Sequence, residues 1–367
     1  MLNWQRLVWL SEQELAALDI AQVNLACAAG LPWSERIDVP RCLRTLDAWA
    51  EQTRRFTERA MPLFHSGKCD YPDSEPRFRI QAMITYLQRD LGLRYRFDRR
   101  STDAVLEPAD SFLHGIIQGQ GGTCGSLPVL YAAIGRRLGY PLMLAMSRSH
   151  LYVRWDALPW GECFNIEASG DGVSFFPDDH YRTGRFAMPP ETVAMCGYLE
   201  SLSPREELAS FLVQRGECWI QERAYNEAAT SFAWANELDP RRQQHTFLTL
   251  QALREWEKRL RALLPPRHFP VLDIGLPAPY FKQMPREVER GLIRLRVWES
   301  LLRDPDYKRH WWGPLRRDPE RCPSDLPNRL YVNYRWNPSP CEAAPDTWVV
   351  SQFVGQTFSS DRSDKNA

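Results

Sequence analysis

The chain has 367 residues, 44% of them hydrophobic and 25% charged, with Lys plus Arg and Asp plus Glu balanced at 46 each. Such a mix can bury a sizeable core and excludes disorder along the whole chain, while the lack of net charge leaves no global field for nucleic acid or an anionic membrane. The opening MLNWQRLVWLSEQEL has no basic start followed by an apolar core, and no apolar run approaches the ~18 residues of a membrane span, so a cytoplasmic location is expected.

In chain order, Ser11 followed by Glu14 has the form of a capping box, and Gly30 and Pro32 supply stop signals, which predicts one amphipathic helix between them. A second helix is predicted over 40–57, where Leu43, Leu46, Trp49, Ala50 and Phe56 fall near helical spacing, and a third over 76–91. Together they form a helical N-terminal layer. The stripe Leu127, Leu130, Tyr131, Ile134 and Leu138 predicts a helix over 124–138, ended by Gly139 and Pro141. Short extended runs follow at 142–146, 150–155 and 163–169, so this part reads as an α+β unit with an antiparallel sheet.

From Ser203, Pro204 and Glu206, which suit N-cap, N1 and N3, the pattern returns to helix. Leu212, Gly216, Trp219, Tyr225, Ala228, Phe232, Ala235 and Pro240 have spacings like those of one tetratricopeptide repeat, with one further helix behind them. A helical hairpin at 201–264 is therefore expected to dock on a unit at 1–200 and to offer a surface for a protein partner. Residues 265–367 are rich in proline and aromatics, with a helix predicted over 286–302 and a polar tail.

The nine cysteines, at 27, 42, 69, 124, 163, 196, 218, 322 and 341, include no C-x-x-C pair, so neither a disulfide framework nor a zinc ribbon is expected, and most read as small buried residues. Cys124 stands apart. A helix's first turn offers the partial positive charge and free N–H groups that stabilise a thiolate. Gly121 and Gly122 before it would permit a tight loop and the close approach of a substrate backbone. The base can come from a distant element, and His150 opens a strand on which His150, Tyr152 and Arg154 share one face and Leu151, Val153 and Trp155 the other. The histidine is thus expected to face a cleft. A third group would accept the other imidazole N–H, and Asn165 and Glu167 both lie on the matching face of the next strand.

An oxyanion hole needs two donors. The Cys124 N–H can be one, and Gln118 or Gln120 the other, with Gln118 preferred on a resemblance alone, since its place six residues before the cysteine is similar to that of a glutamine in papain-like proteases. GQGGTCG does not satisfy G-x-G-x-x-G and has no Lys-Ser/Thr pair, which argues against a phosphate loop. His114, Cys124 and His150 lack ligand spacing, so no metal or other cofactor is expected, and His114 reads as structural. The segment PDDHYRTGR, with His180 and Tyr181, reads as a polar surface loop or as a rim of the cleft.

GGTCGSLPVLYAAIGRRLGYPL, SHLYVRWD and FNIEASG, in that order, resemble the transglutaminase-like superfamily, and in particular a bacterial branch that joins this core to tetratricopeptide-like helices; GYLESLSPREELASFLVQRGECWI resembles the same branch. The resemblance implies a papain-like core in which a nucleophile helix packs on an antiparallel sheet. It also implies a triad of Cys124, His150 and Glu167 in chain order, although aspartate is commoner at the third place and Asn165 stays an alternative. The expected activity is cysteine-dependent acyl transfer on a protein or peptide amide, as a peptidase, amidase, deamidase or transglutaminase. The alternative is an inactive scaffold whose hairpin binds a partner.

Overall fold

The computed structural model describes residues 2–262 apart from 35–36, 101–106, 149 and 184–185. The reading of 265–367, including the helix expected over 286–302, lies outside the described residues.

The N-terminal layer contains α1 (Trp4–Leu7), α2 (Glu12–Ala16), α3 (Ile20–Ala28), α4 (Val39–His65) and α5 (Glu75–Thr85). The single helix expected after Ser11 is two. Ser11 and Glu14 form the capping box of α2, but the Asp19 carboxylate accepts from Ala21 N–H and caps a separate α3. Nearly all of α3 is buried, so its apolar face is the whole helix rather than a stripe. α4 buries Cys42, Leu46, Ala50, Thr53 and Thr57 as one stripe and runs past the predicted end at 57, through Pro62, to the stop at Ser66 and Gly67, the latter at φ 67°. α5 ends early, at Thr85, and a π-helical turn over Tyr86–Asp90 carries the chain on.

After a 3₁₀ turn at Phe97–Arg100 come α6 (Pro108–Ser111), α7 (Leu113–Ile117) and α8 (Leu127–Arg137), then β1 (Leu142–Ser147), β2 (His150–Asp156) and β3 (Cys163–Ile166). The strands form one antiparallel sheet in the order β1-β2-β3. Every residue of α8 from Leu127 to Gly135 is buried, and with Leu142, Leu144, Leu151, Val153, Trp155, Phe164 and Ile166 from one sheet face it forms the centre of the main core. This is the α+β arrangement of helix on sheet expected from the sequence.

A 3₁₀ turn at Asp178–Arg182 and α9 (Pro190–Cys196) lead to α10 (Pro204–Gln221), α11 (Tyr225–Leu238) and α12 (Gln243–Ala262). Ser203 and Glu206 make the expected capping box. Where α10 crosses α11, the Phe232 ring lies within 2.4 Å of the place a Gly216 Cβ would take, so a larger residue there would push the helices apart. Leu208, Ala209, Phe211 and Leu212 of α10, with Trp234, Ala235 and Leu238 of α11, share the main core with the N-terminal layer. These helices are therefore continuous in packing with residues before 200. The other face of α11 packs with α12 around Phe232, Leu248 and Leu253.

Candidate active site

Cys124 lies in the turn that opens α8. The regular helix begins at Leu127 rather than at 124, but the Thr123 carbonyl already accepts from Ser126 N–H at 3.2 Å and Leu127 N–H at 3.0 Å. The Thr123 hydroxyl accepts from Gly125 N–H at 3.2 Å, and Thr123 N–H donates to the Ser126 hydroxyl at 3.1 Å. Thr123 thus acts as a cap, and Cys124 stands at the first position of the helical turn. Its own N–H donates to no protein acceptor among the described residues. Both hydroxyls of the turn also donate to the Asp110 carbonyl, at 2.8 Å from Thr123 and 2.7 Å from Ser126, which ties the cysteine to α6.

The two glycines are required here, and of the two reasons the sequence suggested it is the tight loop that the structure supports. Gly121 has φ 78°, and a Cβ on it would come within 2.9 Å of the Arg94 carbonyl oxygen; a Cβ on Gly122 would come within 2.6 Å of Leu127. Gly122 also pairs with the chain at Arg94 and Arg96 through two backbone hydrogen bonds. The space beside both glycines is filled by the protein itself, so they serve to seat the nucleophile turn rather than to admit a substrate backbone. Gly121→Ala is expected to destabilise the fold by about 1–3 kcal/mol through the left-handed backbone conformation alone, read as a lower denaturant midpoint.

His150 is the first residue of β2, with its side chain only 2% exposed. Its Nε2 donates to Glu167 Oε2 at 2.9 Å, and its Nδ1 is buried with no fully formed hydrogen bond. Burial alone would lower the imidazole pKa. The Cys124 thiol and Glu167, the latter through its hydrogen bond and its charge, outweigh it and raise the value from 6.5 to about 9. The thiol is thus one of the groups that favour the charged imidazole, while His150 Nδ1 makes no hydrogen bond to it.

Glu167 follows directly after β3. Its Oε1 accepts from the N–H groups of Ala168 at 3.0 Å and Ser169 at 2.9 Å, and its Oε2 from His150 and from the Tyr181 hydroxyl at 3.1 Å. Burial would raise its pKa, but the His150 hydrogen bond and charge, with the Ser169 N–H, bring it well below the carboxylate range. Asn165 is not at His150. Register sets Arg154 opposite Asn165, whose Oδ1 accepts from Arg154 Nε at 2.8 Å and whose Nδ2 donates to Phe176 O and Asp178 Oδ1.

The sheet face carrying His150, Tyr152 and Arg154 is not an open cleft. Tyr152, Tyr181, Phe186 and Tyr198 pack over it as a second buried cluster, with Tyr152 and Tyr181 stacked at 4.1 Å. The segment read as a polar loop or rim is exposed at Asp179, His180 and Arg182 but sends Tyr181, fully buried, to Glu167, while His180 stacks on Phe176. His114 is buried against the Ser34 hydroxyl at 3.1 Å, and burial lowers its pKa to about 4, so it is a neutral core histidine.

Gln118 caps the C-terminal end of α7 with its side chain exposed, and Gln120 is exposed as well. A third glutamine, which sequence reading missed, reaches the nucleophile turn: Gln214 on α10 donates from Nε2 to the Gly125 carbonyl at 3.2 Å. Nothing in its helical context signals that contact.

A family model described as "Transglutaminase-like superfamily" matches residues 41–212, a span that contains Cys124, His150 and Glu167. No curated protein and no solved structure matches the chain. The superfamily is typically a cysteine-enzyme fold, with some inactive members. The match covers the nucleophile turn, the whole sheet and the first half of α10, and over residues 41–212 the chain is similar to the transglutaminase-like superfamily.

Proposed function

We propose that the chain is a cysteine-dependent acyl-transfer enzyme acting on a protein or peptide amide. The Cys124 sulfur attacks the amide carbonyl carbon as a thiolate, and His150, holding the thiol proton, delivers it to the leaving nitrogen as the C–N bond breaks. An amine departs and a thioester remains on Cys124. Water then attacks the thioester, His150 takes its proton, and acid and free thiolate form. An amine in place of water gives transamidation through the same intermediate. We take hydrolysis as the reading because water needs no dedicated binding site. Glu167 holds the imidazole with Nδ1 toward the sulfur and stabilises its charge. The Cys124 N–H serves the developing oxyanion, with Gln118 as the second donor.

The observation that carries this reading is the buried His150, tied through Nε2 to an ionised Glu167 and left with Nδ1 for the thiol. A second reading is an inactive scaffold whose helices α10 to α12 bind a protein partner. The near-complete burial of the His150 side chain, 2% exposed, favours it.

The pH profile of amide turnover separates the two. Activity needs the thiol ionised and His150 protonated, so it should rise and then fall as pH passes the raised His150 value of about 9 rather than 6.5. A profile flat from about pH 5 to 10 contradicts this pairing.

A further inference from the structure

We propose that Tyr181 is a fourth member of the site: a positioning residue that shares the Glu167 Oε2 with His150 and thereby sets how strongly the carboxylate holds the imidazole. The proposal rests on the reading of Cys124 and His150 as nucleophile and base.

The hydroxyl of Tyr181 lies 3.1 Å from the same oxygen that His150 Nε2 reaches at 2.9 Å, while Oε1 is taken by two backbone N–H groups. A carboxylate offers about four acceptor sites, and here all are filled. Glu167 therefore cannot turn without breaking at least two hydrogen bonds. Tyr181 is itself fixed. It is fully buried, stacked on Tyr152 at 4.1 Å with an interplanar angle of 5°.

The short helix that bears Tyr181 begins at Asp178, whose Oδ1 accepts from Arg154 Nη2 at 2.6 Å and Asn165 Nδ2 at 2.8 Å. Arg154 and Asn165 lie on the sheet face that also carries His150 and Glu167. One polar row thus holds both ends of the arrangement: its near end is the His150–Glu167 pair, and its far end anchors the turn that brings the phenol to Glu167. Burial and the Glu167 charge raise the phenol well above its ordinary range, so it stays a donor.

Two donors at one oxygen compete. Removing the phenol leaves more negative charge on Oε2 for His150 and frees the carboxylate to turn. Tyr181→Phe keeps the ring stack and deletes only the hydroxyl. Expected are a fall in kcat of roughly 10-fold with KM unchanged, as for a misplaced base, and an upward move of the alkaline limb of about half a pH unit. The His150 ring signal, assigned by its loss in His150→Asn and followed by NMR against pH, should move up in step. In a Glu167→Gln background the same change should alter kcat less than about twofold, because the shared partner is gone.

An unchanged His150 titration in Tyr181→Phe, or the same kcat loss in the Glu167→Gln background, overturns the proposal. If His150 shifts while the wild type turns over no amide, the relay stands and the catalytic reading falls. Should Tyr181→Phe not fold, 3-fluorotyrosine incorporation makes the phenol a stronger donor at nearly constant size. It should then move the His150 titration downward, and no movement overturns the proposal.

Discussion

Cys124→Ala is expected to abolish amide turnover, by about 10⁴-fold or more, while leaving thermal unfolding close to that of the wild type. The rate loss follows from removing the only atom that forms the covalent intermediate, and losses of this size attend removal of a nucleophile that acts as a unit with its base. The small stability change follows from the setting. Cys124 is half-buried at the edge of the core, and the turn around it is held by Thr123, Ser126 and the Asp110 carbonyl rather than by the sulfur. Turnover measured alongside a melting curve checks both halves. Residual turnover within tenfold of the wild type would place the chemistry elsewhere.

Glu167→Ala should be the most damaging change to the fold among the site residues. It leaves the Tyr181 hydroxyl, two backbone N–H groups and a buried imidazole without their acceptor. Breaking one side of a buried pair costs about 3–5 kcal/mol. The cost is pH-dependent, with a definite sign. His150 has its pKa raised above the ordinary 6.5, so its contribution is complete below pH 6.5 and lost as pH rises through about 9. Glu167 has its pKa lowered from 4.5, so its contribution is complete above pH 4.5 and lost as pH falls through its depressed value. The stability gap between wild type and Glu167→Ala is therefore expected to be widest between pH 4.5 and 6.5 and to close toward alkaline pH. Denaturant unfolding across that range tests this, and a gap that widens above pH 9 would mean that His150 is not the group held by Glu167.

Much of this site could be read from residue order. A cysteine after paired glycines, an apolar helix behind it and a histidine opening a strand are local signals that the fold contains, although α8 is buried on all sides from Leu127 to Gly135 and the sheet face of His150 is covered. What local pattern could not decide was register. Asn165 and Glu167 share a face, and alternation alone gives either of them to His150. Pairing Arg154 with Asn165 puts that amide on the guanidinium and leaves the next residue on the same face, Glu167, for the imidazole. The hairpin fixes that register, not the strands' composition.

Tyr181 was hidden for a related reason. It sits in a run of charged residues, PDDHYR, whose polarity reads as surface, and Asp179 and Arg182 do face out, but Asp178 anchors on Arg154 and the tyrosine is buried. Gln214 reached the nucleophile turn from α10, about ninety positions along the chain from Gly125, and only packing brings them together. At the N-terminus, the break between α2 and α3 depends on one carboxylate, Asp19, whose capping role competes with helix continuation and does not show in hydrophobic spacing.

The central claim is that Cys124 is made reactive by His150, and the other cysteines provide its internal control. Burial pushes the thiols of Cys27 and Cys218 up to about 12, whereas Cys163 is exposed and Cys69 partly so. The most direct test is site-resolved mass spectrometry of wild type and His150→Ala after brief exposure to a peptidyl electrophile that mimics an amide. The account predicts modification at Cys124 ahead of the more exposed Cys163, with the Cys124 rate falling by about 100-fold or more in His150→Ala. Preferential labelling of Cys163, or an unchanged Cys124 rate without His150, would contradict it.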